Sequence, residues 1–93
     1  MSGANVKLAS RLDTAHAATM AATLLEHAGD DLTLDACEVT HFGAMGLQVI
    51  RAAAKTWHKS GHSLTISGLS TDCIDQVQLL GFSPENLCEW EYE

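Results

Sequence analysis

Hydrophobic and polar positions along the chain follow two periods, whose alternation predicts three strands that are each followed by a helix. Three short segments have a period of two, which is typical of strands: residues 5–10, 32–35 and 63–68. Three longer segments have apolar positions three or four residues apart, which indicates amphipathic helices: residues 15–28, 44–59 and 71–80. Strand–helix alternation favours an α/β fold with a small mixed or parallel sheet and right-handed crossovers.

Residue types with known capping preferences stand at the ends of the predicted helices. Asp13 or Thr14 suits the N-cap of the first helix, and Ser70 suits that of the third. A glycine follows the last apolar position of each helix in turn: Gly29, Gly61 and Gly81. The connection 36–43 is predicted to be irregular, and the Ser-Pro-Glu sequence at 83–85 predicts one last short turn.

The second helix has the widest apolar surface of the three. Its apolar positions cover roughly half of the circumference: Gly46, Leu47, Val49, Ile50, Ala53, Ala54 and Trp57. Trp57 lies in the middle of this arc and is predicted to be a buried anchor. Its indole N–H then needs a hydrogen-bond partner, which the sequence does not reveal.

Composition and charge restrict the class of partner. The 93 residues suffice for one domain with a modest core, and an apolar content of 46% argues against disorder. The net charge of −7 argues against nucleic acid as a partner, because phosphate binding needs clustered lysine and arginine. We expect a single domain over residues 1–93 with an acidic tail from about residue 85.

The chain shows no signal for export or membrane insertion. The N-terminus, MSGANVK, lacks the apolar stretch of a signal peptide. No run approaches the roughly 18 apolar residues of a membrane span. Cys37, Cys73 and Cys88 are odd in number and have no CxxC spacing, so we expect reduced, partly buried thiols. These features lead us to expect a cytoplasmic protein.

Candidate catalytic and metal-binding groups are few. His58 and His62 are four residues apart, but Gly61 separates them at the helix end and no carboxylate completes a site. They are interpreted as solvated surface histidines. Cys37 stands among acidic residues, which disfavour a reactive thiolate. No nucleophile, base and orienting group converge, so we expect no enzyme, no metal and no cofactor.

The order and spacing of short motifs resemble a known family. Residues 31–82, DLTLDACEVTHFGAMGLQVIRAAAKTWHKSGHSLTISGLSTDCIDQVQLLGF, resemble the STAS domain, the fold of bacterial anti-sigma factor antagonists. The N-terminal LASRLDTAHA is similar to the family's strand-then-LD-then-helix entry. The resemblance implies a small mixed or parallel sheet with helices packed on one face, and the family's first strand is short or missing here.

The GAMG turn that opens the second helix departs from the DSSG turn of the family. Gly43, Ala44 and Met45 stand where the family has Asp, Ser and Ser, while Gly46 and Leu47 are retained. The second serine is the one that a partner kinase phosphorylates in the switching members. A phosphate there adds about two negative charges at a helix N-terminus. Because methionine cannot be phosphorylated, the resemblance implies a docking surface without its phosphoswitch.

The resemblance implies a non-catalytic, regulatory protein-binding module in bacterial cytoplasmic signalling. The expected partner-binding residues surround the GAMG turn: His41, Gly43, Ala44, Met45, Gly46, Gln48 and Arg51. The stretch LQVIRAAAKTW is similar to small STAS proteins encoded among chemotaxis genes. The implied partner is therefore a kinase or ATPase-like regulator, of the anti-sigma factor or chemotaxis histidine kinase type. In the alternative interpretation, Met45 fills a gap in the core beneath the turn.

Two other functions stay open. The same helix N-terminus suits a nucleotide or another anion in a small-molecule sensor, although Arg51 is the one positive residue nearby. A second possibility is a STAS accessory subunit of an ABC lipid-transport ATPase. Those members keep a threonine at the turn, which this chain lacks.

Overall fold

The computed structural model describes residues 4–90, which contain the three predicted strands and three predicted helices in the predicted order, with two further short strands between them. The elements are β1 (Ala4–Lys7), β2 (Arg11–Leu12), α1 (Thr14–Leu25), β3 (Leu32–Asp35), β4 (His41–Phe42), α2 (Ala44–Ser60), β5 (Leu64–Ser67) and α3 (Thr71–Leu79). None of the helices among these residues has the length and hydropathy needed to cross a bilayer.

The main sheet contains β1, β3 and β5 in that spatial order, and all its neighbours are parallel. One face carries apolar side chains that contribute to the core: Val6, Leu32, Leu34 and Leu64. The other face carries polar rows, in which the hydroxyls of Thr33 and Thr65 lie 3.2 Å apart. Parallel sheets are usually covered on both faces. The polar rows explain why this one is covered by helices on a single face, as the resemblance implied.

A second, two-stranded sheet corrects the prediction around residues 5–10 and 36–43. β1 ends at Lys7, and the chain then forms β2, which pairs in parallel with β4. β4 lies within the segment that was predicted to be irregular, so that prediction was wrong at residues 41 and 42. A strand of two residues is too short to produce a period of two, which is why the sequence pattern did not indicate it.

The helix ends agree closely with the predicted capping residues. Asp13 Oδ1 accepts the His16 N–H at 3.2 Å, and Ser70 Oγ accepts the Cys73 N–H at 3.2 Å. Gly61 has a φ of 78° and ends α2 in the left-handed conformation that favours glycine. α1 ends at Leu25, three residues earlier than predicted, and Leu25 is 64% exposed although the pattern placed it on the buried face.

Trp57 anchors α2 in the core, as predicted. Its side chain is 2% exposed, and its indole Nε1–H donates to the carbonyl oxygen of Asp30 at 2.8 Å. The partner that the sequence did not reveal is therefore a backbone carbonyl just before β3. The bond satisfies the polar atom of a buried aromatic residue and ties the end of α2 to the start of the central strand.

The residues after α3 continue the packed structure. Ser83 starts the predicted short turn, since its carbonyl accepts the Leu87 N–H at 2.9 Å and its Oγ accepts the Asn86 N–H at 3.3 Å. Leu87 is fully buried. Trp90, which lies in the segment predicted to be an acidic tail, is partly buried and packs against the core. The described part of the acidic tail is thus held to the domain.

Replacing Trp57 should lower stability in two separable steps. Trp57→Phe keeps most of the ring packing but loses the bond to Asp30, so we expect a loss of about 1 kcal/mol, plus a small packing cost. Trp57→Ala also creates a cavity and should cost about 3–5 kcal/mol. Urea unfolding followed by circular dichroism measures both free energies. An unchanged midpoint for Trp57→Ala would show that the tryptophan does not anchor the core.

Candidate functional site

The turn between β4 and α2 rests directly on the backbone of Leu12 in β2. The Gly43 N–H donates to the Leu12 carbonyl oxygen at 3.0 Å. A Cβ at position 43 would lie 2.9 Å from that oxygen, and a Cβ at position 46 would lie 2.5 Å from Leu12 Cβ. Both glycines are therefore required by the close approach of the first turn of α2 to β2. Sequence reasoning assigned no role to Leu12, because a two-residue strand carries no periodic signal.

Exposed side chains surround this turn. Met45 is 40% exposed, which contradicts the alternative that it fills the core beneath the turn. Ala44 and Gln48 are also exposed, and Gln48 follows Met45 by three residues and Ala44 by four, so it shares a helix surface with each. The exposed His41 lies close by, with Nε2 3.3 Å from where a Cβ of Gly43 would be. We call His41, Gly43, Ala44, Met45 and Gln48 the docking face.

The start of α2 differs electrostatically from the starts of the other two helices. The N-cap of α2 is Gly43, which has no side chain to accept a hydrogen bond, and its first turn holds no acid. α1 starts at Asp13, which accepts from His16 Nδ1 at 2.7 Å and from Arg11 Nε at 3.2 Å. The bond with His16 is the main cause that lowers the pKa of Asp13 to about 2. The start of α2 thus keeps the partial positive charge that Asp13 offsets at α1.

Gly46 contributes packing and offers no contact to a partner. It is buried, and the space beside its Cα is occupied by Leu12. This burial argues against a direct partner contact at Gly46, which was among the expected partner-binding residues. The same geometry explains why a small residue is needed at this point of the helix.

Arg51 is also turned away from the docking face. Its Nη1 lies 2.7 Å from the carbonyl oxygens of Leu87 and Glu89 and 3.1 Å from that of Asn86. The Asn86 carbonyl also accepts the Glu89 N–H at 3.1 Å. The guanidinium thus supplies a charged donor to carbonyls at the end of this turn. The guanidinium carbon also lies 4.8 Å from the ring centre of Phe82 and 5.1 Å from a ring centre of Trp90. Arg51 is therefore engaged in holding the C-terminal segment.

The three thiols are free, and the conditions around two of them disfavour the thiolate. Cys37 is exposed, and its hydrogen bond with Asp35 raises the pKa of the thiol. Burial raises the pKa of the Cys88 thiol to about 12. Cys73 is buried and donates its S–H to the Val39 carbonyl oxygen at 3.2 Å. A nucleophilic cysteine needs a lowered pKa, so Cys37 and Cys88 are unsuited to that chemistry.

The histidine pair that was considered as a metal site does not form one. His58 is exposed, and His62 Nδ1 lies 3.4 Å from Asp31 Oδ1. Within residues 4–90, no group of three or more potential ligands is placed to hold a metal ion.

Comparison with known proteins identifies a family. A family model described as "Mlab, STAS domain" matches residues 2–87, which is nearly the whole chain. No curated protein matches the chain. The matched range includes β1 through α3 and therefore both the docking face and the strand on which it rests.

Removing the guanidinium of Arg51 should loosen the C-terminal segment. In Arg51→Met the three carbonyls lose a charged donor, and we expect a loss of about 1.5–3 kcal/mol in the free energy of unfolding. Trp90 emission should shift to longer wavelength in a Trp57→Phe background. Lys55→Met is the matched control, because Lys55 Nζ lies 5.8 Å from the Trp90 ring centre but makes no such carbonyl contacts. Equal effects of the two substitutions would contradict the assigned role of Arg51.

Proposed function

The chain belongs to the STAS domain family, and we propose that it is a non-catalytic regulatory module that binds a protein partner in bacterial cytoplasmic signalling. The observation that carries the proposal is the exposure of Met45 at the start of α2. In the resemblance, this is the position of the phosphoacceptor serine. A side chain that projects into solvent there is available to a partner, whereas a buried one would not be.

The chemistry of the docking face supports binding more than catalysis. Met45 offers a flexible, polarisable contact, which suits protein interfaces. Ala44 is small enough to let a partner approach the helix backbone, and His41 and Gln48 supply hydrogen-bonding groups at the rim. No thiolate-prone cysteine or acid–base pair belongs to this face.

The proposed partner is a kinase or ATPase-like regulator, of the anti-sigma factor or chemotaxis histidine kinase type. In a switching member, the phosphate would place about two negative charges on the contact surface and alter binding. Met45 carries no charge and cannot be phosphorylated, so the charge at this position does not change with kinase activity. We therefore propose that docking is constitutive and is regulated on the partner's side.

A small-molecule sensor is the alternative from another class. Its support is the start of α2, which lacks both a side-chain cap and an acid in the first turn. The cation expected to assist an anion, Arg51, is engaged by three backbone carbonyls. Titration of the purified chain with ATP and GTP would detect a sensor as saturable binding without any protein partner.

The accessory subunit of an ABC lipid-transport ATPase is a third proposal. Capture of such an ATPase as the partner would support it.

A charge at Met45 should abolish partner binding without unfolding the domain. The bait is the wild-type chain in an extract of the native cell, with captured proteins identified by mass spectrometry and then titrated in purified form. Met45→Asp would bury a carboxylate in the interface, so we expect a loss of roughly 2–5 kcal/mol in binding free energy. The fold should gain a few tenths of a kcal/mol to about 1 kcal/mol, since an acid is favourable at a helix N-terminus.

Leu79→Asp is the matched control for this experiment. Leu79 is 87% exposed at the last residue of α3, remote in sequence from α2, so the same apolar-to-acid change adds surface charge away from the docking face. Because an acid is unfavourable at a helix C-terminus, the folded fraction of this variant is measured first. Unchanged affinity for Met45→Asp would remove Met45 from the interface. Loss of binding with Leu79→Asp alone would move the docking surface to the end of α3.

Phosphorylation should not control this protein at the turn. Incubation with a serine kinase of the partner type, followed by peptide mass spectrometry, should give no phosphate in residues 43–46, because they contain no hydroxyl. The informative peptides are those with Thr40, Ser70 and Thr71, which flank β4 and the start of α3. Stoichiometric phosphate on one of these, together with a changed partner affinity, would contradict constitutive docking.

A further inference from the structure

The outer edge of β4 is occupied by one side chain from α3. β4 pairs with β2 on one side only, and its other edge faces α3. The Phe42 N–H donates to Gln76 Oε1 at 2.7 Å, and Gln76 Nε2 lies 3.4 Å from the Thr40 carbonyl oxygen. The side-chain amide therefore bridges the two backbone groups on either side of His41.

This bridge has the geometry of a parallel strand contact. In a parallel pair, one residue donates its N–H to the residue before its neighbour and accepts from the residue after it. A glutamine amide carries the same donor and acceptor as a peptide group. Gln76 thus stands in for one residue of a third strand in the β2–β4 sheet. It satisfies an N–H that lies one residue before the N-cap of α2.

We propose that Gln76 is the positioning residue of the docking face. That this face binds a partner rests on the proposed function, whereas the structural role of Gln76 does not. A two-stranded sheet of two residues per strand is marginal by itself. Leu12 holds the turn through the Gly43 N–H on one side, and Gln76 holds it through the Phe42 N–H on the other. The orientation of Met45 then depends on α3, although α3 contributes no residue to the docking face.

Amide hydrogen exchange measured by NMR tests this proposal without any partner. Gln76→Leu removes both bonds, and the exchange rate of the Phe42 N–H should rise about tenfold or more relative to Leu32 and Leu34 in the main sheet. Gln78→Leu is the matched control, since Gln78 is an exposed residue of the same helix. It should leave the Phe42 rate unchanged.

Gln76→Glu tests the two hydrogen bonds of Gln76 separately. It also replaces Gln76→Leu in the test if that variant does not fold. At neutral pH the carboxylate can still accept the Phe42 N–H but cannot donate to Thr40. We expect near-normal protection of Phe42 together with a shifted carbonyl resonance of Thr40. A Phe42 exchange rate that is unchanged in Gln76→Leu, or resonances of both groups that are unchanged in Gln76→Glu, would overturn the positioning role.

The affinity of the captured partner completes the test. Gln76→Leu should weaken binding at least severalfold, whereas Gln78→Leu should not. If Met45→Asp leaves affinity unchanged while Gln76→Leu still exposes the Phe42 amide, the proposed place of docking at Met45 fails, and Gln76 still positions this turn. If Met45→Asp abolishes binding and Gln76→Leu affects neither exchange nor affinity, the positioning role fails alone.

Discussion

The close approach of α2 to Leu12 is the contact on which the rest of this structure depends. The first turn of the helix lies so near β2 that a Cβ at position 46 would overlap Leu12. The carbonyl of Leu12 also accepts the N–H of Gly43. Through this contact the central helix, the two-stranded sheet and the start of α1 at Asp13 are fixed relative to one another. The exposed side chains of the docking face take their positions from that arrangement.

Two charged side chains of this acidic chain, those of Arg51 and Asp13, are paired with nearby groups of the domain itself. The guanidinium of Arg51 is directed to three carbonyls and two aromatic rings of the C-terminal segment. The carboxylate of Asp13 is matched by His16 and Arg11. The start of α2 has neither kind of compensation. The main electrostatic feature of the proposed docking face is therefore the uncompensated end of a helix.

The sequence pattern was sufficient for the long elements and insufficient for the short ones. α2 and its buried Trp57 were predictable, because 17 residues with a wide apolar arc leave little ambiguity. β4 was not, since its two residues are held by pairing with β2 and by the amide of Gln76, which are contacts remote in sequence. The contacts of Arg51 with the C-terminal segment were not predictable for the same reason. A charge on the polar side of a helix looks solvent-facing until the segment that covers it, here residues 82–90, is known.

The four positions of the GAMG turn differ in how much space they leave for a side chain. Positions 43 and 46 face Leu12 and have no room for a side chain. Positions 44 and 45 face solvent, so their side chains can change with little effect on packing. A serine, an alanine or a methionine at position 45 would leave the backbone of the turn as it is. If position 45 corresponds to the phosphoacceptor serine, as we propose, its replacement by methionine would therefore cost little stability, and its consequences would fall on partner binding.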